Sequence, residues 1–229
     1  MNTHTYIAIF CFLFTLGGYY CTKAMYGRFK QIWLIPLASV PVLIVAMLLL
    51  LDISYKDYIQ ESHWLVWMLG PATVAFAIPV YENRKVIRNH WLSISVGVVV
   101  AVIAALFSTI LLSKALHLSD ILQKSLAVRS ITTPFAVVAS KTIGGKPDLT
   151  AIFVVMTGIV GIVVGETMLR IFRVRSRHGI GAGLGACAHG SGTAIAYSIH
   201  TKAGTIASLI MLFSGVATVL IAPMIALVA

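Results

Sequence analysis

The sequence predicts an all-α integral membrane protein with about seven full spans, one broken or re-entrant segment, and an inverted repeat built on discontinuous helices. Three observations predict it. Of 229 residues, 59% are hydrophobic and only 10% are charged, against about 25% charged in soluble domains. The apolar residues fall into runs close to the roughly 20 residues that a helix needs to cross the hydrocarbon core. The 17 Lys and Arg, against 7 Asp and Glu, sit in short clusters between those runs, as cytoplasmic loops do. This composition excludes a soluble enzyme and a disordered chain. The clustering makes the bilayer, and not nucleic acid, the partner of the positive charge.

The candidate spans are residues 5–22, 31–51, 63–80, 90–112, 121–140, 149–171, 180–199 and 204–228. They leave no room for a soluble domain, so residues 1–229 read as one membrane domain. The runs are too long for barrel strands. No Lys or Arg precedes the apolar stretch 6–20 and no A-x-A site follows it, so the stretch is expected to remain as the first span. Cys11, Cys21 and Cys187 form no CxxC and read as small buried hydrophobes.

Orientation comes from the loops. Lys23, Arg28 and Lys30 follow the first segment, Asp52, Asp57 and Glu61 follow the second, and Arg84, Lys85 and Arg88 follow the third. The positive-inside rule then places the N-terminus outside. Strict alternation would leave the strongest cluster, Arg170, Arg173, Arg175 and Arg177, outside as well. A fifth segment that fails to cross returns this cluster to the cytoplasm, and the C-terminus with it. That segment contains Arg129-Ser130-Ile131-Thr132-Thr133-Pro134. Pro134 removes a backbone donor and disfavours helix at Thr133, and irregular backbone at this depth must pack in protein or line a watery cavity.

Two halves, about 1–115 and 120–229, overlay at an offset of 120 residues, with Gly70-Pro71-Ala72-Thr73 over Gly190-Ser191-Gly192-Thr193. Pro71, Pro134, Gly190 and Gly192 are the expected helix breakers. Inverted repeats with broken helices at matching positions are the pattern of many secondary transporters. The competing explanation is that small residues recur in any membrane helix.

The expected substrate-binding residues are Arg129, Ser130, Thr132, Thr133, His189, Ser191, Thr193 and Thr73. Arginine near a membrane segment is costly unless it meets water, an anion or a partner, and its planar fork suits a carboxylate. Neighbouring hydroxyls and the positive end of a broken helix complete a small anion pocket. Arg129 could equally snorkel to the interface. His189 is set to bind substrate or carry a coupled proton, or it simply bonds a neighbouring helix. Glu166 is expected to pair with Arg170 at i,i+4. Gly181-x-Gly183-x-Gly185 follows no strand and is no nucleotide loop. His178, Cys187 and His189 lack the second half of a metal site. No metal, cofactor or enzymatic activity is expected.

Four runs together resemble the LrgB/CidB family of bacterial inner-membrane proteins. They are Arg129 to Pro134, then Ile143-Gly144-Gly145-Lys146-Pro147-Asp148-Leu149-Thr150-Ala151, then Thr157-Gly158-Ile159-x-Gly161, then Ala188-His189-Gly190-Ser191-Gly192-Thr193-Ala194. The resemblance covers nearly the whole chain and supplies no catalytic residues. It implies either a holin-like or antiholin-like modulator of murein hydrolase activity and autolysis, working with an LrgA/CidA-type membrane subunit, or a carriage of small carboxylates like that of a plastid glycolate/glycerate relative. The primary expectation is secondary transport of a small monocarboxylate such as pyruvate, glycolate or glycerate, with autolysis modulation as the alternative. Polar residues concentrated in a few short stretches favour a discrete site over a wide pore. Small-residue faces such as Gly158-x-x-Gly161 and Gly161-x-x-x-Gly165 suggest a homo-oligomer, for instance a dimer, or packing within one chain.

Overall fold

The computed structural model describes residues 3–29, 31, 34–75 and 77–227, all helical or in short turns between helices. The chain forms two compact units, Met1–Pro71 and Ala72–Ala229. In the first, α1 (Thr3–Phe29) packs against α2 (Pro36–Leu50) and α3 (Tyr55–Trp67). Asp52 takes a left-handed conformation (φ 50°) after α2, and the Ile53 N–H closes the helix end on the Leu48 carbonyl at 3.0 Å. Such a closure satisfies carbonyls that the helix end would otherwise leave bare. Ser54 then caps α3. It donates to Asp57 Oδ2 at 2.7 Å and accepts from the Asp57 N–H at 3.2 Å.

The residues expected to form the third span are split among α3, α4 (Leu69–Ala75) and α5 (Ala77–Glu82). Pro71 sits in the first turn of α4, just after the interruption at Met68. Its missing N–H would otherwise have bonded to Trp67, so α3 cannot run on unbroken.

The second unit is built on three long helices, α6 (Arg84–Ala115), α9 (Pro147–Ile171) and α11 (Thr201–Ile225). With α1, these are the helices among the described residues long and apolar enough to cross a membrane. Helices α6 and α11 run parallel. Ile94, Val98 and Val102 pack on Ile206, Leu209 and Ile210. At the far end, Ala222 and Ile225 join Ala127, Ala139 and Ile143. Lipid tails are as apolar as these side chains, so dispersion and close fit, not exclusion from water, hold such helices together.

Residues 120–143 form a hairpin. Helix α7 (Asp120–Ala127) ends at the turn 128–132, and α8 (Thr133–Ile143) returns. Pro134 is in the first turn of α8, where its missing donor costs little. Helix α8 closes on Gly144 in the left-handed conformation (φ 79°). A polar knot then ties α7, α8 and α9 together. Ser140 and Thr150 share a hydrogen bond of 2.7 Å, Thr150 Oγ1 donates to the Ser125 carbonyl at 3.1 Å, and the Lys146 N–H donates to Ser125 Oγ at 2.9 Å. Gly145 lies so close that a Cβ there would fall 2.7 Å from Ser140 Oγ and 3.1 Å from the Ser125 nitrogen.

Helix α10 (Arg177–Ile199) is also a hairpin, although one helical span in sequence. The backbone breaks at His189 (φ 50°, ψ −128°). A Cβ on Gly192 would lie 2.1 Å from the Leu184 carbonyl oxygen. In a straight helix, residues eight apart are about 12 Å apart, so the second arm folds back on the first. Ile199 consequently returns beside Ile180 and Arg173. The first arm lies directly on α11, with Gly181 against Ala203 and Gly185 against Ala207. It also runs antiparallel to α9, with Gly161 against Cys187 and Gly165 against Leu184. These glycine faces therefore pack within one chain.

This path corrects the expectation that segment 180–199 crosses. It also corrects the C-terminus. Ile225 lies at the α8 end of the unit and the Arg170–Arg177 cluster at the other, so the two do not share a side. The physical reason is that two arms of about ten residues each carry the same hydropathy as one crossing helix.

Candidate functional site

Helix α9 sets the geometry. The α7–α8 hairpin enters beside its start, where Ser125 meets Thr150. The α10 hairpin enters beside its end, where Ile180 and Leu169 pack on the same cluster. Their tips reach the middle of α9, one at Thr157 and the other at Gly161.

At the first tip, Arg129 is half-buried and its Nη1 donates to Thr157 Oγ1 at 3.2 Å. Its guanidinium lines a groove of ≈ 430 Å³ with Phe153, Thr157, Gly161 and Cys187. At the second tip, His189 is 4% exposed. The imidazole interacts with the backbone of Ser130 and lies within the field of Arg129. Its Nε2 has no hydrogen-bond partner among the described residues.

The hydroxyls divide. Thr132 precedes α8 in an extended conformation, is 8% exposed, and has no partner for Oγ1 among the described residues. Thr133 is the first residue of α8, at its positive end. Ser191 is half-buried, two residues past the α10 turn. Thr193 Oγ1 donates to the His189 carbonyl at 2.9 Å, so it ties the turn together. Thr73, also an expected ligand, has a side chain outside the described residues. Gly190 and Gly192 were expected to break α10 and do not. The break falls on His189, Gly190 lies in open space, and Gly192 is needed for the approach to Leu184. Glu166 and Arg170 pair at 3.7 Å with both side chains exposed, an arrangement of little energetic weight.

Three further residues join the site. Thr157 holds Arg129, while Ser214 and Thr218 of α11 face Ser130 across a cavity of ≈ 10 Å³. That is about the size of one water, and Ser214 Oγ is buried without a partner among the described residues. In sequence, the signal was a hydroxyl pair spaced i,i+4 in the otherwise apolar stretch 209–225 of α11.

The arrangement brings one guanidinium, one imidazole, unpaired hydroxyls and a helix N-terminus to the same depth. A charged arginine held among helices calls for an anionic or polar partner. Fold and site together define a helical membrane protein in which two helix hairpins, entering from opposite ends of a long helix, meet over a cationic, hydroxyl-lined centre.

The chain belongs to the LrgB-like family, whose model matches residues 15–228. It is 38% identical over 218 residues to the uncharacterized protein YwbG of Bacillus subtilis (strain 168), covering 95% of this chain and 97% of that one. It is 32% identical over 188 residues to the antiholin-like protein LrgB of the same strain, covering 82% and 81%. It is 28% identical over 220 residues to the holin-like protein CidB of Staphylococcus aureus (strain Mu50 / ATCC 700699), covering 96% of each. No solved structure matches the chain significantly.

Proposed function

We propose that this protein carries small monocarboxylate anions across a bacterial inner membrane, with no covalent chemistry of its own. The observation that supports this reading is the meeting of Arg129 and Ser130 with His189 at the tips of two opposed hairpins. Arg129 clamps the carboxylate with its two-pronged fork. Thr132, Thr133 and Ser191 supply hydroxyls, and His189 Nε2 offers a further polar contact. Thr157 and Thr193 position Arg129 and His189. Each hairpin separates the site from one side, so displacement of one tip at a time gives alternating access.

The basic end of the second unit carries Arg84, Lys85, Arg88, Arg170, Arg173, Arg175, Arg177 and Lys202, against Lys114, Lys124, Lys141 and Lys146 at the other. By the positive-inside rule this end is cytoplasmic. The C-terminus is then periplasmic, and Lys23 and Arg28 after the first span keep the N-terminus outside. At the 120-residue offset the left-handed Asp52 and Arg173 follow α2 and α9 at nearly matching positions, but α6 answers to α11 and the two run parallel, so that pair is not inverted.

The test is uptake of labelled pyruvate, glycolate or glycerate into proteoliposomes. Arg129→Ala should abolish saturable uptake and Arg129→Lys should not restore it. Uptake unchanged by Arg129→Ala removes the clamp from the mechanism.

A second reading is favoured by the relatives named antiholin-like and holin-like. In it the chain modulates membrane permeability and autolysis, alone or with an LrgA/CidA-type subunit. Release of large dyes from liposomes, indifferent to any carboxylate, supports this reading against the first.

A further inference from the structure

A long groove runs down the outside of the second unit between α6 and α11. Its upper part, ≈ 720 Å³, is bounded by Tyr81, Arg84, Arg88, Phe135 and Leu212. Its lower part, ≈ 360 Å³, is bounded by Trp91, Val98, Val99 and Leu220. The two share Ile87, Phe213 and Val216, so they are one continuous channel. The α6 wall bends at His90, where the backbone leaves helical geometry (φ −125°, ψ 21°).

Apart from Ser95 in the lower part, the wall is apolar except at one end. There Arg84 stacks over the Tyr81 ring at 4.6 Å and donates from Nη1 to the Tyr81 carbonyl at 3.1 Å. These contacts fix the guanidinium at the mouth of the groove. Arg88 follows one turn later on the same helix and is exposed. Trp91, 63% exposed, comes next, at the depth where indole rings favour the boundary between headgroups and tails.

We propose that this groove is a binding site for an anionic phospholipid, with its phosphate held by Arg84 and Arg88 and one acyl chain laid between α6 and α11. Charge complementarity selects the occupant. An apolar trough alone would accept any chain, but two guanidinium groups at its mouth favour a headgroup with net negative charge. The pocket's end is also placed to matter. Phe135 borders the groove and packs against Gly215 of α11, and it stands in the first turn of α8, directly after the Arg129–Thr132 turn. Lipid occupancy therefore supports the hairpin that carries Arg129. The proposal does not depend on what the central site carries.

The test uses the full chain in detergent, with phosphatidylglycerol or phosphatidylcholine of identical acyl chains added, read by native mass spectrometry and by thermal unfolding. Phosphatidylglycerol should be retained about tenfold better than phosphatidylcholine, on the order expected for two interfacial arginines, and should raise the unfolding midpoint. The double substitution Arg84→Ala with Arg88→Ala should remove that preference while leaving phosphatidylcholine retention unchanged. Val216→Trp, which fills the groove without touching either arginine, should weaken retention of both lipids. Equal retention of the two lipids by the unsubstituted protein, or an undiminished preference in the double variant, overturns the proposal. So does cross-linking of two copies through Val216→Cys, which would put a second chain in the groove.

Discussion

His189 and Ser130 belong to hairpins that enter from opposite ends of α9, and the imidazole of one meets the backbone of the other. They are 59 residues apart in sequence (189 − 130). That contact joins the turn of α10 to the turn between α7 and α8.

The strain at that contact is measurable. His189 has φ 50° and ψ −128°, a conformation that essentially only glycine tolerates, at a cost of roughly 1–3 kcal/mol for other residues. His189→Gly should therefore be more stable than His189→Ala by about 1–2 kcal/mol. In an ordinary helix the order is reversed, with alanine ahead by about 1 kcal/mol. Thermal unfolding of the two variants gives the sign. Both should lose carboxylate uptake.

The glycines of α10 should separate into two classes. A Cβ at Gly185 would meet the Ala207 carbonyl oxygen at 2.4 Å, while one at Gly183 would meet nothing closer than 3.5 Å and one at Gly190 nothing within 4 Å. Gly185→Ala should cost about 1–3 kcal/mol or more by overpacking. Gly183→Ala and Gly190→Ala should leave the unfolding midpoint nearly unchanged.

The Ser125–Ser140–Thr150 knot should behave as one unit. Thr150→Val leaves Ser140 Oγ without its buried partner at 2.7 Å and should cost about 1–3 kcal/mol. Adding Ser140→Ala should cost less than the sum of the two single changes. A double-mutant cycle by thermal unfolding measures that coupling; strict additivity would mean the hydroxyls act independently.

Thr157 acts through Arg129. Thr157→Val keeps shape but removes the acceptor at 3.2 Å. In proteoliposomes the apparent KM for the carboxylate should rise about threefold to tenfold, the scale of one ordinary hydrogen bond, with maximal rate less affected. Unchanged KM would show that Thr157 does not position the guanidinium.

The long helices were legible because hydropathy reports length and polarity directly. The α7–α8 turn was legible too, because a proline and four polar residues interrupt an apolar run. The α10 hairpin was not. Its arms together have the length and composition of one span, and the fold-back shows only in the approach of Gly192 to Leu184. That misreading carried the C-terminus to the wrong end. Within the site, Arg129 and His189 stood out as costly residues in apolar surroundings. Thr157, Ser214 and Thr218 did not, because membrane helices commonly satisfy such hydroxyls on their own carbonyls. Only the three-dimensional packing reveals that these face the tip. The Gly144-Gly145-Lys146-Pro147 run, read in sequence as one of the family's runs, closes the hairpin and the polar knot.

The most direct measurement is the sidedness of the two α10 flanks. In a background with Cys11, Cys21 and Cys187 replaced, single cysteines at Arg175 and Thr201 are labelled with a membrane-impermeant maleimide in right-side-out and inverted vesicles. Both positions should react from the same, cytoplasmic side, and a cysteine at Lys141 from the opposite one. Labelling of positions 175 and 201 from opposite sides would make α10 a crossing helix and dismantle the paired-hairpin site.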